Sequence, residues 1–184
     1  HQEAVDHFDA LQFIRSLATS GDPIGENTIK DIHRLVVAGT LRDEAGLYSK
    51  HPRRIVGSRV EFPNPFQVPN LMKEFGDGLS QQPPTYETAF QAHLQLVSIH
   101  PFSDGNGRTA RLLMNLVLMR GGYPQVLISP ADRPDYLDAI ETVQLTGDET
   151  AYRAFMERQL TSSLERHLDH ISGHPKTNQG MKPR

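Results

Sequence analysis

Between two apolar runs lies the sequence His100-Pro101-Phe102-Ser103-Asp104-Gly105-Asn106-Gly107-Arg108-Thr109-Ala110-Arg111. Residues 86–99 before it are apolar on nearly every side, and the run after it is rich in Leu and Met until two glycines end it. Such runs predict buried helices. Because a residue before proline avoids helical geometry, the first helix should end at His100. We therefore expect two central helices that meet at a polar turn.

The polar turn has the composition of an anion-binding site. Gly105 and Gly107 allow positive φ and let backbone N–H groups approach a ligand. The start of the following helix favours a negative charge at the same place. Arg108 and Arg111 are three residues apart, so they share a face of that helix. Two guanidinium groups beside a helix N-terminus predict a site for a polyphosphate.

Three further side chains of the turn carry chemistry. Asn106 can donate to a phosphoryl oxygen, and Asp104 is a hard ligand suited to Mg²⁺ that also takes phosphate oxygens. His100 can be neutral near pH 7 and accept a proton from a hydroxyl. The alternative is a solvated loop in which Asp104 pairs with Arg108. The presence of a candidate base, a candidate metal ligand and two arginines in one turn favours the polyphosphate site. The spacing matches neither a Walker loop nor an EF-hand.

Bulk composition excludes several classes of protein. The chain has 184 residues, 37% of them hydrophobic and 22% charged, as expected for one globular domain with a tail. A net charge of −3 argues against a nucleic-acid partner, and no apolar run is long enough to span a membrane. Cysteine is absent, which excludes disulfides and Cys-based metal sites. With no leader pattern, these features favour the cytoplasm, by default bacterial.

Apolar periodicity predicts an all-α fold for most of the chain. Besides the central pair, we expect helices near residues 4–18, 27–37, 68–79, 131–145 and 148–170. Polar residues 171–184 predict a disordered tail, which leaves a domain over 1–170. On the second helix, capped by Asn27 or Thr28, His33 is expected to be partly buried or at the surface, without a site role. His93 lacks a third ligand at helical spacing, which disfavours a metal site.

A small β-hairpin is predicted where the helical pattern stops. Residues 54–62 form two short β-prone pieces about a Gly-Ser turn. Because an isolated hairpin is marginally stable, it must lean on the rest of the molecule. The residues alone favour a surface excursion over a flap above a site.

The sequence of residues 100–111 resembles the signature of the Fic family, H-P-F-x-[D/E]-G-N-G-R-x-x-R, at every fixed position. The similarity extends over roughly residues 3–170. It implies an all-α Fic-fold helical bundle with a small β-hairpin flap over the active site. In relatives this flap holds a segment of the target protein by strand addition. The flap residues here would be Ile55, Val56, Gly57, Ser58 and Arg59.

The resemblance also implies an activity, the transfer of AMP from ATP to a Tyr, Thr or Ser hydroxyl of a target protein. Pyrophosphate would be released. By this resemblance His100 deprotonates the hydroxyl, and Asp104 holds Mg²⁺ that bridges the α- and β-phosphates. Tyr136 and Gln144 lie near the positions where relatives contact adenine.

The phosphate contacts follow from the same resemblance. Asn106 and the amides of Gly105 and Gly107 would form an anion hole at the α-phosphate. Arg108 and Arg111 would take the β- and γ-phosphates. Such positioning, with positive charge where the leaving group becomes negative, is the general requirement of phosphoryl-type transfer.

Two other functions remain open. One is a Fic-fold transferase of another phosphate-containing group, such as phosphate, UMP or phosphocholine; the other is a non-catalytic nucleotide-binding adaptor. Relatives that diverge in these ways often alter the motif, which is intact here.

The resemblance raises the question of inhibition. Many Fic proteins carry an inhibitory helix with the motif [S/T]-x-x-x-E-[G/N], whose Glu pairs with the second motif arginine, here Arg111. The sequence holds no good copy, so we expect such a helix upstream of His1 or on another chain. The chain by itself is then expected to be uninhibited, and de-AMPylation is disfavoured. A homodimer is a further expectation.

Overall fold

The computed structural model describes residues 2–172. Within this range the chain forms α1 (Gln2–Thr19), α2 (Glu26–Val36), α3 (Val68–Ser80), α4 (Tyr86–Ile99), α5 (Asn106–Arg120), α6 (Arg133–Thr146) and α7 (Thr150–Ile171), with a 3₁₀ turn at Arg42–Glu44. The same range contains no β-strand. The all-α prediction is confirmed. Of the predicted tail, residues 173–184 lie outside the described residues, and Ile171 still belongs to α7.

The central pair consists of α4 and α5, as the apolar runs predict. These two helices pack most extensively against each other; α1 and α2 cover α5, α3 covers α4, and α7 packs on α6. Because α5 is enclosed on several sides, Leu113, Met114 and Leu116 are fully buried. Among the described helices, none is both long and apolar enough to cross a membrane.

A buried asparagine on α5 fixes the chain that leaves this helix. Asn115 Nδ2 donates to the Val126 carbonyl at 3.1 Å, and Asn115 Oδ1 accepts from the Val126 N–H at 2.8 Å. A carboxamide both donates and accepts, so it can bond the carbonyl and the N–H of one residue as a neighbouring β-strand would. The irregular segment after α5 is thereby held against the core.

Two helices begin earlier than expected. Gly25, rather than Asn27 or Thr28, is the N-cap of α2, and the Gly25 N–H donates to the Thr28 hydroxyl at 3.3 Å. α5 begins at Asn106, ahead of Arg108. The second difference matters, because it places the last part of the motif in the first helical turn.

The predicted β-hairpin at residues 54–62 is not formed as a pair of strands. A turn is present, closed by the Ser58 N–H donating to the Ile55 carbonyl at 3.1 Å. Gly57 has φ +84°, whereas Val56 has no positive φ, which is the pattern of a type II turn. That turn type splays its flanking strands, and a lone two-stranded ladder is marginal. The segment is therefore an irregular loop, which we call the 53–62 loop.

Candidate active site

His100 is held in a defined orientation at the end of α4. Its φ of 52° is left-handed and is the only positive φ outside glycine among the described residues. The Nδ1–H donates to the Val97 carbonyl at 3.3 Å, since a carbonyl can only accept. Phe62 stacks on the imidazole with ring centroids 4.2 Å apart. Nε2 therefore carries the lone pair that a general base requires.

The Val97 carbonyl is available to His100 because of Pro101. In a continuous helix this carbonyl would accept from the N–H of residue 101, but proline has none. It accepts instead from His100 and from Gln144 Nε2 at 3.2 Å. Gln144 on α6 therefore contacts the end of α4, and its proposed adenine contact stays a prediction.

The protonation state of His100 suits proton transfer. Burial lowers the pKa of His100, and the hydrogen bond to the Val97 carbonyl opposes this shift in part. The nearby Arg53 guanidinium lowers the pKa further. The neutral imidazole is therefore the main form near pH 7.

Asn106 holds the turn closed. The Phe102 N–H donates to Asn106 Oδ1 at 2.9 Å, and Asn106 Nδ2 donates to the Phe102 carbonyl at 2.8 Å. Asn106 is 3% exposed and Phe102 is fully buried. The prediction that the Asn106 side chain faces a phosphate is therefore corrected: its carboxamide is occupied within the turn, and its backbone N–H lies at the start of α5.

We expect Asn106→Ala to destabilise the protein by about 3 kcal/mol, because two buried backbone groups of Phe102 lose their partners at roughly 1–3 kcal/mol each. Urea unfolding at pH 7 measures this loss. Asn115→Ala removes an equivalent pair of bonds from α5 outside the motif and is the matched control. Both variants should lose similar stability, and only Asn106→Ala should also lose transfer activity under folding conditions. Unchanged stability of Asn106→Ala would contradict the role in closing the turn.

His33 supports the turn from α2, so the prediction of a partly buried or surface histidine without a site role is wrong. It is 1% exposed and stacks on Phe102 at 3.7 Å. The Gly46 N–H donates to Nδ1 at 2.9 Å, which leaves Nε2–H to donate to the Asp104 carbonyl at 3.0 Å. Burial lowers the pKa of His33 to about 4. The missed signal is its place on the apolar face of α2, four residues after Ile29.

The two glycines of the motif serve different purposes. Gly105 has φ +76°, as expected, and a Cβ there would lie 3.0 Å from Val37 Cγ1. Gly107 has no positive φ, contrary to the expectation, because it lies in the first turn of α5. A Cβ at Gly107 would lie 3.3 Å from Arg111 Nη1. Glycine at this position leaves room for the guanidinium.

The N-terminal end of α5 has the features of an anion site. N–H groups in the first turn of a helix have no intrahelical acceptor, and the helix dipole adds partial positive charge. Arg108 and Arg111 lie within the same two turns. His7 of α1 also faces this end: burial first, and then the charges of Arg111 and Arg108, lower the pKa of His7. Positive charge is therefore concentrated where the motif begins its helix.

Asp104 pairs with Arg108, as in the alternative of a solvated loop. Asp104 Oδ2 lies 3.1 Å from Arg108 Nη2, and Oδ1 accepts from the Gly105 N–H at 2.6 Å. Arg108 also donates to the Val36 carbonyl at 3.3 Å. The turn itself is not solvated, since Phe102 below it is fully buried. The pair instead orients both side chains at the anion site.

The donor set at Asp104 fits Mg²⁺ that is shared with a phosphate ligand. The Asp104 side chain is 61% exposed, so a cation can reach it. No group of three or more His, Cys, Asp or Glu residues suited to a metal occurs within residues 2–172. Mg²⁺ is commonly held by one or two carboxylates together with substrate phosphates and water. A single exposed carboxylate beside an anion site has this chemistry.

Tyr136 does not lie where an adenine contact would need it. Its side chain is 3% exposed, so no ring face is open to a base. Its hydroxyl instead interacts with the Arg111 guanidinium and lies 2.8 Å from His93 Nε2. The adenine prediction for Tyr136 is therefore corrected.

The 53–62 loop lies across the motif turn. The Arg53 guanidinium donates to the Ser103 carbonyl, and Phe62 stacks on His100. Between these two contacts, the Ser58 hydroxyl donates to Glu141 Oε1 on α6 at 2.5 Å. Val56 at the tip is fully exposed. The loop is thus fastened at both ends and in the middle, with an apolar tip facing solvent.

This chain is similar to known proteins in both sequence and structure. A curated relative from Nematostella vectensis, called protein adenylyltransferase Fic, is 35% identical over 180 residues, or 95% of this chain and 42% of its own length. Fic-1 from Caenorhabditis elegans superposes with a TM-score of 0.84 at 29% identity, covering 94% of this chain and 52% of that one. A Fic domain containing signaling protein from Bacteroides thetaiotaomicron gives a TM-score of 0.86 at 25% identity, covering 97% and 75%.

The chain spans under half the length of the Nematostella relative. The named proteins come from two animals and one bacterium, so the expected bacterial source of this chain stays a prediction. The expected cytoplasmic location also stays a prediction. The model of the Fic/DOC family matches residues 23–118, which include the whole motif and the helices on both sides of it. With its site built on that motif, this chain belongs to the Fic/DOC family.

Proposed function

We propose that this protein transfers AMP from ATP to a hydroxyl group of a target protein. The observation that carries the proposal is the position of His100: its Nε2 lone pair lies at the turn leading directly into the anion site of α5. A base beside a polyphosphate site is what nucleotidyl transfer to a hydroxyl needs. The name protein adenylyltransferase carried by the Nematostella relative supports the same chemistry.

The transfer step follows from these groups. The target hydroxyl gives its proton to His100 Nε2, and its oxygen forms a bond to the α-phosphorus of ATP. The bond from the α-phosphorus to the bridging oxygen breaks, and pyrophosphate leaves with the electron pair. Arg108, Arg111 and the first amides of α5 stabilise the charge that grows on the phosphates. Mg²⁺ held by Asp104 would add positive charge on the phosphate oxygens.

The choice of label on ATP tests this proposal. The chain is incubated with Mg²⁺, candidate target proteins and ATP labelled at either the α- or the γ-phosphorus, and in parallel with UTP labelled at the α-phosphorus. AMP transfer places only the α-label on protein. Transfer of the γ-label alone would indicate a kinase-like reaction, label from UTP a UMP transferase, and nucleotide binding without label an adaptor. Each of these three results would overturn the proposal.

We further propose that the 53–62 loop docks an extended segment of the target. Residues 55–59 form no strand pairing within the described part of the chain. The loop also lies directly over His100 through Phe62, so a segment beside it would bring its hydroxyl near Nε2. Addition of a strand would supply the ladder that this loop lacks by itself.

A proline pair tests docking through the backbone. Arg59→Pro removes a backbone N–H beside the turn, and we expect target modification to fall at least about tenfold while ATP affinity is unchanged. Val56→Pro is the matched control, because the second position of a type II turn accepts proline. The readout is α-label on a target protein. Full activity of Arg59→Pro would contradict strand addition at this edge.

The expected inhibitory segment and homodimer stay predictions.

A further inference from the structure

We propose that Tyr152, His93 and Tyr136 form a directed hydrogen-bond chain that positions Arg111 for the terminal phosphates of the nucleotide. The inference rests on the proposed function, since it assigns a task at the same anion site. None of the three side chains contacts the reacting atoms, so they are positioning residues.

The chain crosses the core of the bundle. His93 on α4 is fully buried, and its Nδ1 and Nε2 lie 2.8 Å from the hydroxyls of Tyr152 and Tyr136 respectively. Tyr152 on α7 is 1% exposed, and its hydroxyl donates to the Phe90 carbonyl at 2.8 Å. The Tyr136 hydroxyl on α6 interacts with the Arg111 guanidinium of α5. Four helices therefore contribute one group each.

The direction of every hydrogen bond follows from one fixed end. The Phe90 carbonyl can only accept, so the single hydroxyl proton of Tyr152 points to it. His93 Nδ1 must then donate to the Tyr152 oxygen. A neutral imidazole has one N–H, so Nε2 accepts from the Tyr136 hydroxyl. The Tyr136 oxygen is left with its lone pairs facing Arg111, which can only donate.

Neutral His93 is essential to this order. Burial, with a smaller effect from the Arg111 charge, lowers the pKa of His93 to about 3. A protonated imidazole would donate from both nitrogens and turn the Tyr136 proton toward the guanidinium, where it would repel. In the neutral state each group in the chain has a partner of the opposite kind, so the chain holds one arrangement.

The consequence is a fixed place for one guanidinium nitrogen. Gly107 leaves space for Arg111 Nη1 on the side of the helix start, and the Tyr136 hydroxyl interacts with the same guanidinium on the other side. A flexible arginine would lose side-chain entropy when it binds phosphate. An arginine already held by a buried acceptor loses less, so the chain should increase affinity for the phosphates that Arg111 contacts.

The test compares two nucleotides on Tyr136→Phe. This substitution removes one hydroxyl oxygen and retains the ring. Binding is measured by calorimetry in a His100→Ala background, which prevents turnover, with ATP and with AMP as the two ligands. We expect affinity for ATP to fall about tenfold, as for loss of one hydrogen bond to a charged group, and affinity for AMP to be unchanged. Tyr123→Phe, outside the chain of hydrogen bonds, is the matched control and should match its parent.

The outcomes separate positioning from general damage. Equal loss of ATP and AMP affinity would show that Tyr136 is merely structural, and no loss of either would show that Arg111 does not depend on it; both overturn the inference. In the active background, a raised KM for ATP with nearly unchanged kcat supports it. If the ATP–AMP difference appears but wild type transfers no α-label, the positioning role stands and the proposed AMP transfer fails.

Discussion

Replacing His100 with alanine should lower AMP transfer at least about a hundredfold, because general-base catalysis typically contributes 10²–10⁴. The affinity for ATP should be unchanged, since in the proposed site the first turn of α5 and its arginines, not His100, would hold the phosphates. Intact-mass analysis of a modified target gives the rate, and calorimetry gives the affinity. The two together separate loss of the base from loss of the binding site.

The expected effect is large because the fold holds the imidazole of His100 in one orientation. His100 sits in a strained left-handed conformation, which costs roughly 1–2 kcal/mol for a residue with a Cβ. Pro101 removes the helical donor of the Val97 carbonyl, and that carbonyl then orients the ring. A histidine needed only for packing would require neither feature. Transfer by His100→Ala at the wild-type rate would show that another group takes the proton.

A second variant guards against misfolding. His100→Asn also lacks the base, but asparagine tolerates the left-handed region better than alanine does. It should therefore be as inactive as His100→Ala and at least as stable.

The helices and the motif were predictable because their signals are local. The apolar runs around residues 100–111 predict two buried helices, and α4 and α5 are the central pair. A proline after His100 predicts a break in the helix, and His100 ends α4 with a left-handed φ. The family resemblance adds the order of the reacting groups. None of these conclusions requires knowledge of which helices meet.

Several of the missed features depend on contacts between distant parts of the chain. His33 and Asp104 are 71 positions apart, and no local pattern predicts that one supports the other. The same holds for Ser58 and Glu141, 83 positions apart. The hairpin failed for a different reason: β-prone residues cannot form a ladder around a turn that splays the strands.

The sequence also did not determine which way some side chains point. Asn106 has the right chemistry to bind phosphate, but the nearest groups to its carboxamide are the N–H and carbonyl of Phe102. Tyr136 has the right chemistry for adenine, but α6 turns it toward the core. In both cases a buried polar partner took the hydrogen bonds that a ligand was expected to take.

As the pH is lowered, this protein should begin to lose stability at a higher pH than protonation of its carboxylates alone would cause. His33 and His93 are neutral in the fold, with pKa values lowered by burial from 6.5 to about 4 and about 3. Below pH 6.5 the unfolded chain binds protons that the folded chain does not, so stability falls as pH falls. Each histidine contributes a loss of about 1.4 kcal/mol per pH unit until its folded pKa is reached.

The size of this effect can be set against typical stability. Between pH 6.5 and pH 5, the two histidines together remove about 3 kcal/mol, a large share of the roughly 5–15 kcal/mol that stabilises a domain. Burial also lowers the pKa values of His7 and His100, which adds loss of the same sign. Glu26, whose pKa is lowered from 4.5, contributes only at lower pH.

Urea unfolding at pH 7, 6 and 5 on a non-titrating variant tests the assignment. His33→Gln should be less stable at pH 7, yet its stability should fall less steeply with acid, by about 1.4 kcal/mol per pH unit. His93→Gln should behave in the same way, and exposed His167→Gln should keep the wild-type slope. His33 faces the Asp104 carbonyl, Arg108 and Arg34, so protonation would break the Gly46 bond and place charge beside two arginines. A wild-type slope in both buried variants would mean that neither imidazole is held neutral by the fold, and the support of the motif turn by a neutral His33 would fail with it.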